Sequence, residues 1–354
     1  MNIKSLLLGS AAALLAVSGA RAADAVVVAE PEPMEYVRIC DVYGAGFYYI
    51  PGTETCLKIG GLVRYEIGWT DEDDGWKKQA LFRLKLDARS ETEYGTFKRY
   101  IEFQGKNDGG LYDVDGHEIE GDNSSFAVRY AYFELGGLMV GRNDTLFDGD
   151  LSGEFDKGGG DFVQQIRYTF DAGNGIAVSV GLEEEDYDYD YVPLVTGKVS
   201  IAQGWGSVDL FAAYDDRLSE FALKGIAKIK ATDALTLELL AAYESGATWF
   251  GLIGPYDGYE WSVGGYLKYQ VNDKLAIGAG GQYFADSQYG DFILGNAVTV
   301  DEGFNDWTIG AVIDYKVVEN LNAKLALNYT DGDTFEDAGS DGVFSGFLRL
   351  DASF

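Results

Sequence analysis

The chain has little of what soluble enzymes and helical membrane proteins are built from. Among 354 residues there is one histidine, two cysteines, three methionines and five prolines. The one histidine, His117, lies in a Gly/Asp-rich segment, so a Ser-His pair would rest on that residue alone. The chain has no G-x-S-x-G and no nucleotide-binding glycine loop. No enzymatic constellation is supported, and a hydrolase built on His117 would lose all activity on His117→Ala. Past the N-terminal stretch, no window approaches the roughly 20 apolar residues of a membrane-crossing helix. Bases are also scarce, 27 against 58 acids.

The first 22 residues read as a secretory leader. Lys4 is the positive n-region, Leu6 to Val17 the apolar h-region, and Ala20-Arg-Ala22 the cleavage motif. The apolar run is too short to span ~30 Å of hydrocarbon. Without Lys4 and Arg21, the 27 bases fall to 25 against 58 acids, a net charge of −33. That charge repels nucleic acid and attracts cations. Cys40 and Cys56, close together in an exported chain, predict one disulfide rather than a metal site or a reactive thiol. Closing a loop of about 16 residues stabilises by roughly 3 kcal/mol on the chain-entropy view.

Glycine (47) and tyrosine (24) are abundant, and from Cys56 onward the pattern has period two. Leu57, Ile59, Gly61, Val63, Tyr65, Ile67 and Trp69 alternate with Lys58, Gly60, Leu62, Arg64, Glu66 and Gly68. Trp307, Ile309, Ala311, Ile313 and Tyr315 alternate with Thr308, Gly310, Val312, Asp314 and Lys316. Sixteen such segments are expected: 56–69, 78–92, 96–104, 125–135, 138–142, 162–170, 175–184, 194–203, 206–215, 220–230, 234–244, 260–270, 274–284, 306–316, 321–330 and 343–354. Tight turns alternate with long connections at 70–77, 105–124, 143–161, 185–193, 245–259, 285–305 and 331–342, with one short exception at 216–219. The last strand ends on Phe354, an aromatic terminus suited to closing a sheet on itself. Trp261 and Tyr269, like Trp307 and Tyr315, stand eight residues apart, about 20 Å along a tilted strand and close to the ~25 Å apolar band. This is the pattern of an all-β, 16-stranded antiparallel transmembrane barrel in a bacterial outer membrane. Residues 23–55 read as a periplasmic segment preceding the barrel at 56–354. The segment Phe97–Gln104 fits poorly, because either Arg99 or both Lys98 and Glu102 must face outward; a neighbouring subunit is the expected cover.

Three stretches carry a family resemblance. Arg38-Ile-Cys-Asp-Val-Tyr-Gly-Ala-Gly-Phe-Tyr-Tyr-Ile-Pro-Gly-Thr-Glu-Thr-Cys-Leu-Lys-Ile-Gly-Gly61, Glu91-Thr-Glu-Tyr-Gly-Thr96 and Arg129-Tyr-Ala-Tyr-Phe-Glu-Leu-Gly-Gly-Leu-Met-Val-Gly-Arg142 resemble alphaproteobacterial porins. The likeness runs from the leader to Phe354. It implies a homotrimeric general-diffusion pore whose third long loop folds inward and narrows the barrel. The root of that loop matches at Gly141-Arg142 and Phe147-Asp148; Asn143-Asp144 stands where the family has a small residue after the Arg.

The loop 143–161 would then bring Asp144, Asp148, Asp150, Glu154, Asp156 and Asp161 opposite wall bases Arg64, Arg83, Lys85, Arg89, Arg129, Arg142 and Arg167. Opposed charges across a narrow aqueous gap orient polar solutes and disfavour apolar ones. Lys198, Lys224, Lys228 and Lys268 also occupy inward positions. Asp148-Gly-Asp-Leu-Ser-Gly153 imitates half of a calcium loop, but its twelfth position is Gly159 rather than a bidentate Glu, so no metal or other cofactor is expected. Acidic runs at 71–74, 183–190 and 331–333 read as solvated surface charge, with divalent bridging to lipopolysaccharide phosphates as the sharper reading. Inward Phe211, Tyr266, Phe284 and Phe347 offer a competing reading, a stacking track in a sugar-specific channel. A non-conducting surface barrel or adhesin is the remaining competitor. The expected partners are small hydrophilic solutes, ions and outer-membrane lipid.

Overall fold

In a computed structural model, residues 38–72, 75–114, 117–184, 191–293 and 296–354 are described. The leader, residues 23–37 and most of the acidic run 183–190 lie outside them. A two-residue strand β1 (Tyr48–Tyr49) precedes β2 (Cys56–Thr70), β3 (Lys77–Thr92), β4 (Gly95–Val114) and β5 (His117–Leu135). Then come β6 (Leu138–Asp144), β7 (Phe162–Asp171), β8 (Ile176–Glu184), β9 (Leu194–Gln203) and β10 (Gly206–Asp215). The set continues with β11 (Glu220–Lys230), β12 (Leu235–Glu244), β13 (Asp257–Gln270) and β14 (Leu275–Ile293). It ends with β15 (Asn296–Asp301), β16 (Asp306–Val318), β17 (Leu321–Gly332) and β18 (Val343–Ser353).

Each strand pairs antiparallel with its neighbour in the chain, and β18 pairs with β2, from Ser345 opposite Thr70 to Ser353 opposite Leu62. Leaving aside β1 and β15, sixteen strands form a closed ring with no free edge, as the alternating pattern requires. The seam is tied twice more. Gly61 N–H donates to the Phe354 carbonyl and Phe354 N–H to the Gly61 carbonyl, both at 3.1 Å. Gly61 has to be glycine, since a Cβ there would stand 2.1 Å from the Arg83 carbonyl oxygen.

The outward stripe is as expected: Val63, Trp261, Tyr269, Ile309 and Tyr315 are exposed on the outer face. Two expected loops are corrected. Most of 105–124 is strand, with β4 and β5 paired from Lys106 opposite Ser125 out to Val114 opposite His117. Much of 285–305 is likewise strand, where β14 runs on to Ile293 and β15 folds back on it. Both hairpins extend past the apolar band, where neither face needs an apolar stripe.

In β4, Lys98, Tyr100 and Glu102 point inward, opposite Arg89, Asp87 and Lys85, so Arg99 points outward. It lies near the tight-turn end rather than at mid-height, donates to the Ser90 hydroxyl at 3.0 Å, and stacks 4.5 Å from the Phe97 ring centroid. Both partners are neutral, and the buried Arg99 Nε has no hydrogen-bond partner among the described residues.

At the tight-turn end, Cys40 and Cys56 form the expected disulfide. The hairpin they close lays Phe47 and Tyr43 against the inward side of β2 and β3. Arg89 stacks 5.1 Å from the Phe47 ring, and the Tyr43 hydroxyl donates to Glu91 at 2.7 Å.

Candidate pore constriction

The segment between β6 and β7 turns into the barrel. Its apolar residues Leu146, Phe147, Leu151 and Phe155 recur every four or so positions and are all buried. Phe147, Leu151 and Phe155 pack on an inner wall that is itself apolar, at Phe211, Ile226, Leu240, Tyr266 and Phe284. Burying these side chains contributes about 1.5–3 kcal/mol each, which is what holds a charged loop inside an aqueous lumen. A second loop, between β12 and β13, supports it from behind. Trp249, Phe250 and Leu252 are buried in the same cluster, and the Phe250 ring sits 5.2 Å from that of Phe147. The two loops touch backbone to backbone at Gly159, where a Cβ would stand 2.4 Å from the Phe250 carbonyl oxygen.

Polar anchors fix the register. Lys224 is 3% exposed and donates to the carbonyls of Gly149 at 2.9 Å and Gly158 at 2.5 Å. Glu238 accepts the N–H and the hydroxyl of Ser152, both at 2.7 Å. Gln282 exchanges two 2.8 Å bonds with the Lys157 backbone. Glu183 accepts from Thr145 and from the Leu146 N–H at the loop's entry.

The expected acids divide by position. Asp144 and Asp161 belong to the root, where Asp144 accepts from the Tyr130 hydroxyl at 2.8 Å and Asp161 from the Phe162 N–H at 2.7 Å. Glu154 is bridged by Lys324 at 2.7 Å and Arg349 at 3.3 Å. Asp148, Asp150 and Asp156 lie on the loop body without a cation within 4 Å among the described residues. Burial in the lumen, then the neighbouring charges of Asp144 and Asp150, raises the Asp148 carboxyl to about 6. Burial raises Asp150 as well. Asp156, although it accepts the Leu151 N–H at 2.6 Å, is raised chiefly by burial to about 7.

The wall bases are mostly paired already. Arg64 makes a two-pronged bond to Asp351 at 2.7 and 2.8 Å, and Arg89 one to Asp87 at the tight-turn mouth. Arg83, Lys85 and Arg129 converge on Glu102, itself 2% exposed. Arg129 reaches it through an irregularity in the β4–β5 ladder, where Glu102 and Phe103 face Tyr130 and Val128 and leave Arg129 as the extra residue. Arg142 and Arg129 lie against the same ring, Phe162, at 5.5 and 4.9 Å. Arg167 stands on β7 opposite Gly181 and Met139. The sequence reading missed Glu102, Lys324, Arg349 and Glu238; each sits at an inward position of its strand, which alternation alone could have flagged. Three of the four residues of the expected aromatic track, Phe211, Tyr266 and Phe284, are buried in the cluster, which leaves Phe347, with Arg349 on its ring, beside the open lumen.

A closed barrel of sixteen strands, with the segment between β6 and β7 packed against its inner wall, defines a membrane channel of the porin class. The sequence model of the porin subfamily matches residues 24–346. Porin Omp2b of Brucella suis biovar 1 (strain 1330) and of Brucella melitensis biotype 1 are each 36% identical over 381 aligned positions, covering all of both chains. The chain belongs to the porin subfamily and is an outer-membrane channel protein. Among solved structures, Salmonella typhi OmpF in complex with daunomycin superposes with a TM-score of 0.58 at 14% identity, over 85% of this chain and 98% of that one. Pseudomonas putida OprB at high pH gives 0.59 at 11% identity, over 85% and 94%. These two likenesses concern the fold.

Proposed function

We propose that this porin is a passive pore for small hydrophilic solutes and ions, with a preference for cations. The observation that supports the preference is at the constriction: Asp148, Asp150 and Asp156 lack a close cation, whereas Arg64 and Arg89 each hold a carboxylate and Arg83, Lys85 and Arg129 share Glu102. Over a screening length of ~8–10 Å, nearby unpaired charge governs an ion more than the net charge of the whole chain does. In the same reading residues 1–22 are removed on export, 23–55 lie on the periplasmic side, and the acidic outer loops face lipopolysaccharide. The assembly is a homotrimer, the state named for Vibrio cholerae OmpT, which shares the fold at a TM-score of 0.54. Planar-bilayer recording across a KCl gradient tests this reading. Steps in threes with a cation-signed reversal potential are expected. An anion-signed potential would assign control to the wall bases, and silence from folded barrel would refute the open pore.

A further inference from the structure

A recess of about 440 Å³ opens on the inner wall at the barrel seam, on the long-loop side of the bridges that hold Glu154. Three cross-strand rungs build it. The lowest sets Arg349 beside Glu66 and Gln79, and the next sets Phe347 beside Gly68 and Lys77. The uppermost sets Asn328 beside Ser345 and Thr70. Gly68 is the gap in the middle rung. A Cβ there would meet nothing nearer than the Gly346 carbonyl oxygen at 3.8 Å, so packing does not demand glycine. What its missing side chain does is hollow the wall.

Phe347 forms one side of the hollow. Arg349 stacks 4.2 Å from the ring centroid but is not among the lining residues, so the ring meets the recess with the surface that Arg349 leaves uncovered. Together with the backbone of Gly68 and Gly346 it gives the recess a floor more apolar than polar. Hydrogen-bonding groups surround that floor. The Gln79 amide and the Ser345 hydroxyl have no partner among the described residues, and Glu66 spends only Oε2 on Arg349, at 2.5 Å. The lining charges balance, Glu66 and Asp108 against Lys77 and Lys78. An ion of either sign gains little from such a lining. A neutral solute with an apolar face and a hydroxyl edge can use both the ring and the open polar groups. The volume falls within the range of small-molecule sites.

We propose that this recess is a binding site for a neutral pyranose, held on its way to the constriction. The C–H face of the sugar lies on Phe347, where slightly positive hydrogens meet the negative face of the ring. Its hydroxyls reach Gln79, Ser345 and the free oxygen of Glu66. The site goes beyond diffusion by selecting one solute class, and it does not depend on the sign of the ion preference.

The test is saturation-transfer difference NMR on the folded protein in detergent, with glucose and sorbitol as probes. It needs no current, so a silent channel and a missing site are told apart. Sorbitol carries the hydroxyls without the ring. Glucose is expected to bind at least about fivefold more tightly, with the strongest transfer at its ring C–H protons. Gly68→Val fills the hollow while leaving Phe347 and the polar groups in place, and should abolish the preference for glucose. Phe347→Leu keeps the apolar bulk without the flat ring and should do the same. Retained heat-modifiable gel mobility shows that both variants are folded. Equal binding of glucose and sorbitol, or a preference that survives either substitution, would overturn the site.

Discussion

Lys224→Met should loosen the constriction while leaving the barrel intact. Lys224 ties both arms of the inward loop, through Gly149 and Gly158, and its ammonium lies 4.5 Å from the Phe147 ring. Methionine keeps the length and the packing but abolishes both bonds. Two hydrogen bonds from a charged donor are worth about 1.5–3 kcal/mol each. Removing a buried charge recovers part of that, because desolvating the ammonium costs several kcal/mol. A net loss of about 2 kcal/mol raises the undocked population roughly 30-fold. The loop stays docked most of the time, since Ser152, Glu154 and Lys157 keep their partners on Glu238, Lys324 and Gln282. Trypsin cleavage at Lys157 of the folded protein reads that population directly when reclosing outpaces cleavage. The rate should rise by about the same factor, with brief larger-conductance states in single-channel records. Unchanged cleavage together with unchanged conductance would refute the anchoring role, and so would a barrel that loses its heat-modifiable form.

Phe250→Ala should give the same phenotype without touching any charge, at about 3–5 kcal/mol for a fully buried ring, scored by the same cleavage assay. Cation preference should fall as pH drops from about 8 to 5, because Asp156 and Asp148, raised to about 7 and about 6, become protonated in that window. Reversal potentials measured across the range check this, and Asp148→Asn with Asp156→Asn should flatten the curve. Both carboxyls bind protons more tightly folded than unfolded, so their contribution to loop docking is present below about pH 4 and lost as pH rises through 6 to 7. Replacing Cys40 and Cys56 by serine should cost about 3 kcal/mol, confined to the mouth hairpin, which becomes a protease target while the β2–β18 seam holds. Deleting Phe354 removes the reciprocal pair with Gly61 and should slow assembly, read as accumulation of the unfolded gel species.

The ring itself was legible because lipid on one side and water on the other impose alternation on every membrane-crossing residue. Where lipid ends the signal ends too, and the hairpin tips around Lys106–Val114 and Ser287–Ile293 therefore passed for loops. The acids of the loop were found by composition, but their division into root, bridged and unpaired sets depends on Tyr130, Lys324 and Arg349, residues distant in sequence. Phe211, Tyr266 and Phe284 were correctly placed inward. What covers them is Phe147, Leu151 and Phe155, whose four-residue spacing in a supposedly solvated loop was the available clue. The ladder irregularity that aims Arg129 at Glu102 left no mark in the local residue types.

The packed interior under the constriction loop divides the ring into two kinds of wall. Along much of β10 to β14 both faces make apolar contacts, one toward lipid and one toward the loop. The open lumen at that level is lined instead by β16 to β18 and by β2 to β5, through residues such as Asp314, Lys324, Phe347, Glu66 and Arg83. Selection for what the cell admits or excludes can therefore act on that arc, residue by residue and in small steps. A change on the opposite arc shifts the loop as a whole, so its effect on uptake is abrupt and bears little relation to the chemistry of the residue replaced.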